Sequence, residues 1–251
     1  CIHASRLALY LLPNFSPNRY PQRTMDLRYV TERYPDGVYL PCRRTDLINE
    51  KNEQSWRDNK KSLPGFLRLV CMSDTHNLHE FIKVPPGDVF IHCGDFTQTG
   101  GAHEVSRFCE WVKALPHEHT VVIGGNHDLI LEEGLWEKFH KHRFRQPKPK
   151  EGEAEATSES MKALTRQSCT AYLEDEAVEI RGVKFYGSPY SPRFHDWAFN
   201  IDRGRLSEQK WMQIPKDTDV LITHGPPLGR MDKCFSGQFA GCEDLLKIVQ
   251  Q

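Results

Sequence analysis

Short, mostly apolar runs punctuate a polar chain. Leu67 to Met72, Val89 to Cys93, Thr120 to Ile123 and Asp219 to Thr223 read as buried strands, because strands covered on both faces carry continuous rather than alternating apolar positions. Between the second and third runs, Val105, Phe108, Cys109, Val112 and Leu115 recur at helical spacing. They predict an amphipathic helix over His103 to Leu115, stopped by Pro116. Strand, helix and strand of these lengths predict a parallel crossover unit. Leu129 to His142 predicts a further helix. Ala171 to Ser188 alternates in the manner of two or three short antiparallel strands, with turns at Glu174-Asp175 and Arg181-Gly182. Leu206 to Ile214 predicts a short helix, and Cys242 to Val249 another.

The flanks lack such a period. Pro13, Pro17, Pro21, Pro35, Pro41 and Pro64 interrupt residues 1–65, and Asn49 to Ser62 is nearly all polar. This region reads as a Pro-rich, polar and partly disordered arm ahead of one domain over 66–251. The charged stretch at about 146–160, with Pro147, Pro149, Glu151, Glu153 and Glu155, reads as a flexible surface insertion.

Charge sharpens this picture by exclusion. Thirty-three basic residues against 34 acidic ones leave a net charge of −1, which gives no basis for nucleic-acid or membrane-surface binding. The apolar run from Leu7 to Leu12 falls short of the roughly 18–20 residues of a membrane span. The eight cysteines form no CxxC pair and read as reduced, mostly buried thiols, so the expected location is cytoplasmic. The chain starts at Cys1, so targeting is not read from that end.

The polar residues that close the apolar runs carry the chemistry. They are Ser73-Asp74-Thr75-His76-Asn77, Gly94-Asp95, Gly124-Gly125-Asn126-His127-Asp128 and His224-Gly225-Pro226. In α/β proteins, groups just beyond the carboxyl ends of strands face a shared crevice. Carboxylate, imidazole and carboxamide groups there make a plausible ligand set for Mn²⁺, Fe or Zn²⁺. His92 reads as a core or supporting histidine rather than a ligand. Arg193, His195 and Trp197 read as residues of the cleft rim, and Phe235 to Gly241 resembles a glycine-rich phosphate cradle only superficially. Neither a Walker loop nor a Gly-x-Ser-x-Gly elbow is present.

Asp74-x-His76, Gly94-Asp95, Gly125-Asn126-His127-Asp128 and a strand ending in His224 resemble the calcineurin-like metallophosphoesterase superfamily. Gly187-Ser188-Pro189, Trp197-Ala198-Phe199-Asn200 and Ile222-Thr223-His224-Gly225-Pro226-Pro227 are similar to its metallophosphoesterase-domain-containing (MPPED-type) group. The resemblance implies an α/β fold, a β-sandwich of two mixed sheets flanked by helices. It implies two divalent ions, Mn²⁺ ahead of Fe, Zn²⁺ or Mg²⁺. Asp74, His76 and Asp95 would hold the first ion, and Asp95, Asn126 and His224 the second. His127 would be catalytic and face the leaving oxygen, with Asp128 orienting it. The implied activity is hydrolysis of phosphodiesters such as cyclic nucleotides by a hydroxide between the metals. The implied partner is a small phosphoester or nucleotide.

The superfamily's closing Gly-His-x-His is not found, since no histidine follows His224. The expectation there is a domain incomplete on its C-terminal side, lacking its last strands, with a weakened site and an unpaired sheet edge. The alternative function is a metal- or nucleotide-binding regulatory module with little turnover.

Overall fold

The computed structural model describes residues 67–136, 138, 155–234 and 236–250, together with the backbone of Ala8–Leu11. The remainder of the expected arm, and 146–154 of the expected insertion, lie outside the described residues.

Two four-stranded sheets stack face to face. The first holds β2 (Leu69–Met72), β3 (Val89–Cys93), β4 (His119–Ile123) and β5 (Ala171–Tyr172) in that order, and every pairing is parallel. The second holds β1 (Ala8–Leu11), β10 (Val220–Thr223), β7 (Val183–Ser188) and β6 (Glu176–Ile180), with both parallel and antiparallel pairings. Among the described residues, only the second of the two sheets is therefore mixed. The strands β8 (Ser191–Pro192) and β9 (Asn200–Ile201) form a small parallel pair apart from both.

Side-chain alternation along the strands divides the core into layers. Val89, Ile91, Cys93, Val121 and Ile123 face Phe185, Val220 and Ile222 between the sheets. Phe90 and Val122 face outward, onto helix α1 (Ala102–Lys113) through Val105, Phe108, Cys109 and Val112. Phe96 stacks on Phe108 there, with ring centroids 4.0 Å apart. On the opposite side, Tyr186 and Leu221 meet Trp211 of α3 (Arg205–Trp211) and Leu245 of α4 (Glu243–Val249). Each fully buried Phe or Leu contributes roughly 1.5–3 kcal/mol relative to exposure, so these layers fix where the strand ends stand.

Four expectations need correction. Leu129 to His142 does not form one helix. A 3₁₀ turn over Leu129–Leu131 ends at Glu132, whose backbone is extended with φ −89° and ψ 124°, Gly134 follows with a left-handed φ of 73°, and 139–142 lie outside the described residues. Helix α2 (Ser158–Ser168) begins inside the expected charged insertion, because Thr157 caps it by accepting from the Ser160 amide. The strand β5 pairs parallel with β4 rather than antiparallel with its successor. The sheet edge expected to be unpaired is covered: β1 runs antiparallel along all of β10, from Ala8 opposite Thr223 to Leu11 opposite Val220.

Candidate metal centre

The polar residues expected at the strand ends converge on one rim. Asp74 and His76 follow β2, Asp95 follows β3, Asn126 and His127 follow β4, and His224 follows β10 of the other sheet. Asp74, His76, Asn77 and Asp95 all have φ between 41° and 67°, a left-handed conformation costing of order 1–3 kcal/mol for residues other than glycine. Backbone hydrogen bonds hold them there. The amides of Asp74, His76 and Asn77 donate to the carbonyls of Gly94, Asp95 and Phe96, each at 3.0 Å, so the first ligand loop is laid along the second.

Asp95 is the hub. It is 1% exposed. Its Oδ1 accepts from the His127 amide at 2.7 Å and lies 3.4 Å from His224 Nε2. Its Oδ2 lies 3.8 Å from His76 Nε2. His224 Nδ1 meets the carbonyl of Cys93 at 2.8 Å and must donate to it. In the neutral ring that leaves a lone pair on Nε2, which stands 3.0 Å from Asn126 Oδ1. Lone pairs from an imidazole, a carboxamide and a carboxylate thus converge, and such a point calls for a proton or a cation. Gly125 completes the cradle. A Cβ there would fall 2.4 Å from Asp95 Oδ1 and 2.8 Å from His224 Cε1.

Two triples have ligand atoms within 4.8 Å of one another: His76, Asp95 and His127, and Asp74, Asp95 and His224. Asp95 belongs to both, the arrangement a bridging carboxylate needs. The structure brings all five expected ligands together: Asp74 Oδ1 and Asp95 Oδ2 lie 3.9 and 3.8 Å from His76 Nε2, Asp95 and Asn126 both stand beside His224 Nε2, and Asp74 also comes within reach of His224. It also puts His127 within ligand reach. Burial, and then the charge of Asp128, push the Asp95 carboxyl well above its ordinary value. Burial pushes Asp128 up to about 6, against hydrogen bonds from Thr97 and Gly125. Two buried carboxylates side by side fit a site completed by divalent charge.

The role expected of Asp128 is corrected. It is fully buried and does not line the cavity. Its Oδ1 accepts from the Thr97 amide and hydroxyl at 2.9 and 2.7 Å. Its Oδ2 accepts from the amides of Asp95 and Gly125 at 2.9 and 2.8 Å. It therefore joins the second and third ligand loops. The Nδ1 atoms of all three site imidazoles meet backbone carbonyls instead, His127 that of Gln98 at 2.8 Å, His76 that of Thr97 at 3.1 Å and His224 that of Cys93.

Above the rim opens a cavity of about 920 Å³. Arg193, Phe194, His195 and Trp197 line one side, so the expected rim residues are there. Trp197 lies against the His127 ring, while Arg193 pairs with Asp202. Gln238 and Phe239 line another part. They come from a hairpin closed by the Lys233–Phe239 bridge and turned at Gly237, which is not a helix-capped phosphate cradle. Arg203 holds this hairpin through the carbonyls of Gly241 and Ala240, at 2.6 and 2.9 Å. His92 is buried, with Nε2 3.1 Å from Thr75 Oγ1, a supporting position as expected.

The profile of the calcineurin-like phosphoesterase family matches residues 67–250. The chain belongs to the calcineurin-like phosphoesterase family. Members of this family of phosphoesterases use divalent metal ions, and the Asp95-centred donor set suits them. Metallophosphoesterase domain-containing protein 1 of Homo sapiens, and its Mus musculus counterpart, are each 43% identical over 189 residues, 75% of this chain and 57% of theirs. A UPF0046 protein of Caenorhabditis elegans is 37% identical over 191 residues, 74% of this chain and 48% of its own. The chain thus spans about half to three-fifths of the length of these relatives. Among the described residues no helix is long and apolar enough to cross a membrane, and the six described cysteines are free thiols.

Sequence reasoning missed Thr97, Gln98 and Glu104. The first two act through backbone carbonyls, which leave no mark in side-chain patterns. Glu104 did leave one, three residues after Gly101 at the start of a helix, the spacing of a capping box.

Proposed function

We propose that this chain is a metal-dependent phosphodiesterase acting on small phosphodiesters, with cyclic nucleotides as the substrate class and Mn²⁺ as the preferred ion. The observation that carries this reading is the membership of Asp95 in both ligand triples. Two ions held by a shared carboxylate supply Lewis-acid charge to a phosphoryl group and a nucleophilic water at neutral pH. Asp74, His76, Asp95, Asn126 and His224 would hold them. With Nδ1 committed to the Gln98 carbonyl, His127 would deliver a proton to the departing oxygen from Nε2 of its imidazolium form, leaving the neutral Nδ1–H ring. Phe194, Trp197 and Phe239 offer apolar surface to the organic part of the ester, in a cavity sized for a small ligand.

The test is hydrolysis of a chromogenic phosphodiester and of cyclic nucleotides, with Mn²⁺, by the wild type and by Asp95→Ala and His127→Ala. Loss of turnover in both variants is expected, and equal activity in all three proteins would overturn the reading. Tight nucleotide binding without turnover in the wild type would replace it with a binding role.

A further inference from the structure

The backbone from Thr97 to Thr99 serves two imidazoles at once. The carbonyl of Thr97 receives His76 Nδ1 and the next carbonyl, of Gln98, receives His127 Nδ1. A carbonyl accepts only, so each neutral ring must carry its proton on Nδ1 and its lone pair on Nε2. The segment is clamped at both ends. Asp128 holds the amide and hydroxyl of Thr97. Glu104 Oε2 accepts from the amide of Thr99 at 3.0 Å, its hydroxyl at 2.9 Å and the amide of Gly101 at 2.9 Å. Glu104 Oε1 accepts from Asn77 Nδ2, and Asn77 directly follows His76 in the strained ligand loop.

Glu104 is 3% exposed. Burial works against its ionised form, yet the donors from Gly101, Asn77 and Thr99 outweigh burial and hold its carboxyl below the ordinary value. More is gathered here than a helix cap needs. A cap requires the Gly101 amide alone, whereas the bonds to Thr99 and Asn77 reach both sides of the paired histidines.

We propose that Glu104 is a positioning residue that sets the tautomer and orientation of both His76 and His127, through Thr99 on one side and Asn77 on the other. It touches neither metal nor substrate. One side chain would thereby couple a metal ligand to the proton-delivering group. The inference rests on the phosphoesterase reading only for the roles of the two histidines, not for their geometry.

The test uses the full chain with and without Zn²⁺, a diamagnetic ion. Nitrogen-15 NMR of the ring nitrogens at pH 8 is expected to show His76 and His127 as Nδ1–H tautomers in the wild type. In Glu104→Ala both should become tautomer mixtures, with Zn²⁺ affinity by calorimetry falling about 10–100-fold, as for other partners that orient ligands. Glu104→Gln keeps an acceptor oxygen and should restore much of both. Val105→Ala, on the core side of the same helix, should lower stability and leave tautomers and affinity unchanged. If Glu104→Ala does not fold, Thr99→Val, which deletes one donor to Glu104, reads the same tautomers. Unchanged tautomers and affinity in Glu104→Ala, or in Thr99→Val where Glu104→Ala does not fold, would overturn the proposal, as would equal changes in Val105→Ala. Because neither readout needs turnover, a chain that hydrolyses no phosphoester would defeat the proposed function and leave this test standing.

Discussion

The rings of His127 and Trp197 lie nearly face to face, with centroids 4.1 Å apart and 30° between their planes. On another side His76 meets His127 edge-on at 4.5 Å and 72°. His127 is thus confined by an aromatic wall, by a second imidazole and by the Gln98 carbonyl.

Removing the wall should loosen the ring without removing it. An aromatic pair contributes about 0.5–1.5 kcal/mol beyond its buried area, and tenfold in rate corresponds to about 1.4 kcal/mol. Trp197→Ala is therefore expected to lower kcat roughly 2- to 12-fold, with a larger loss for esters whose leaving oxygen needs a proton. Trp197→Phe should recover most of it. Steady-state kinetics on two esters of different leaving-group basicity check this, and an equal loss on both would place the role of Trp197 in binding.

Gly125 offers a more severe test. A Cβ there would stand 2.3 Å from the Asp95 amide nitrogen, which is backbone and cannot swing away. Gly125→Ala must push the Asp95 and Asn126 loops apart, at a cost of about 1–3 kcal/mol for an overpacked site. The expected outcome is a lower urea midpoint together with loss of metal binding by calorimetry. Metal affinity equal to wild type would show that Asp95 is not held by this close approach.

How much could be read beforehand followed from where each feature is encoded. The strands β3, β4 and β10 are buried on both faces and the edge strand β2 is half-buried, so their apolar runs were nearly continuous and their ligand-bearing ends visible. The extended backbone of Glu132 and the positive φ of Gly134 interrupt a pattern that otherwise reads as helix, and both become evident only in three dimensions. The cap at Thr157 was hidden by the charged composition around it. Asp128 misled for another reason. A carboxylate next to His127 reads as its partner, yet a turn closed by the Asp128 amide on the Gly125 carbonyl carries its oxygens to amides of the second ligand loop and of its own.

Metal removal should be visible as heat lability. A ligand at 100 times its Kd stabilises by about 2.7 kcal/mol, and 1 kcal/mol moves Tm by about 2–4 °C in a domain of 150–250 residues, so a shift of roughly 5–11 °C is expected. Calorimetric scans of the Mn²⁺-loaded and EDTA-treated protein measure it. Asp95→Ala should show almost no difference between the two conditions, and a full shift in that variant would place the stabilising ion elsewhere.

Acid should weaken the core beneath helix α1. His79 and His92 are both fully buried, and burial is the main cause that lowers the pKa of each below the ordinary histidine value. The unfolded chain takes up their protons near pH 6.5 and the folded one only at lower pH. The unfolded state therefore binds more protons between those values, and stability rises with pH across the window. The contribution is fully present above about pH 6.5 and is lost as pH falls below it. Asp128, raised to about 6, acts with the opposite sign between about pH 4 and 6, so a variant must separate the two. His79→Phe keeps a ring against Phe108 and Trp111 and removes two buried nitrogens that lack hydrogen-bond partners among the described residues. Its urea midpoint should equal or exceed wild type at pH 7 and fall less between pH 7 and 5. A steeper fall in the variant would reverse the assignment.

The edge pairing of β1 should show locally rather than globally. Its ladder hydrogen bonds are worth about 0.5–1.5 kcal/mol each, while ordering each residue of the strand costs about 1–2 kcal/mol. These terms nearly cancel, so deleting residues 1–11 should change the urea midpoint little. What the deletion must do is open the edge of β10, the strand that delivers His224. Hydrogen exchange at the amides of Val220–Thr223 that face β1 should accelerate, while the amides that pair with β7 stay protected. An open edge also invites pairing between chains, so the shortened protein should self-associate at concentrations where the full chain does not. Unchanged exchange throughout Val220–Thr223 would show that Ala8–Leu11 does not hold that edge in solution.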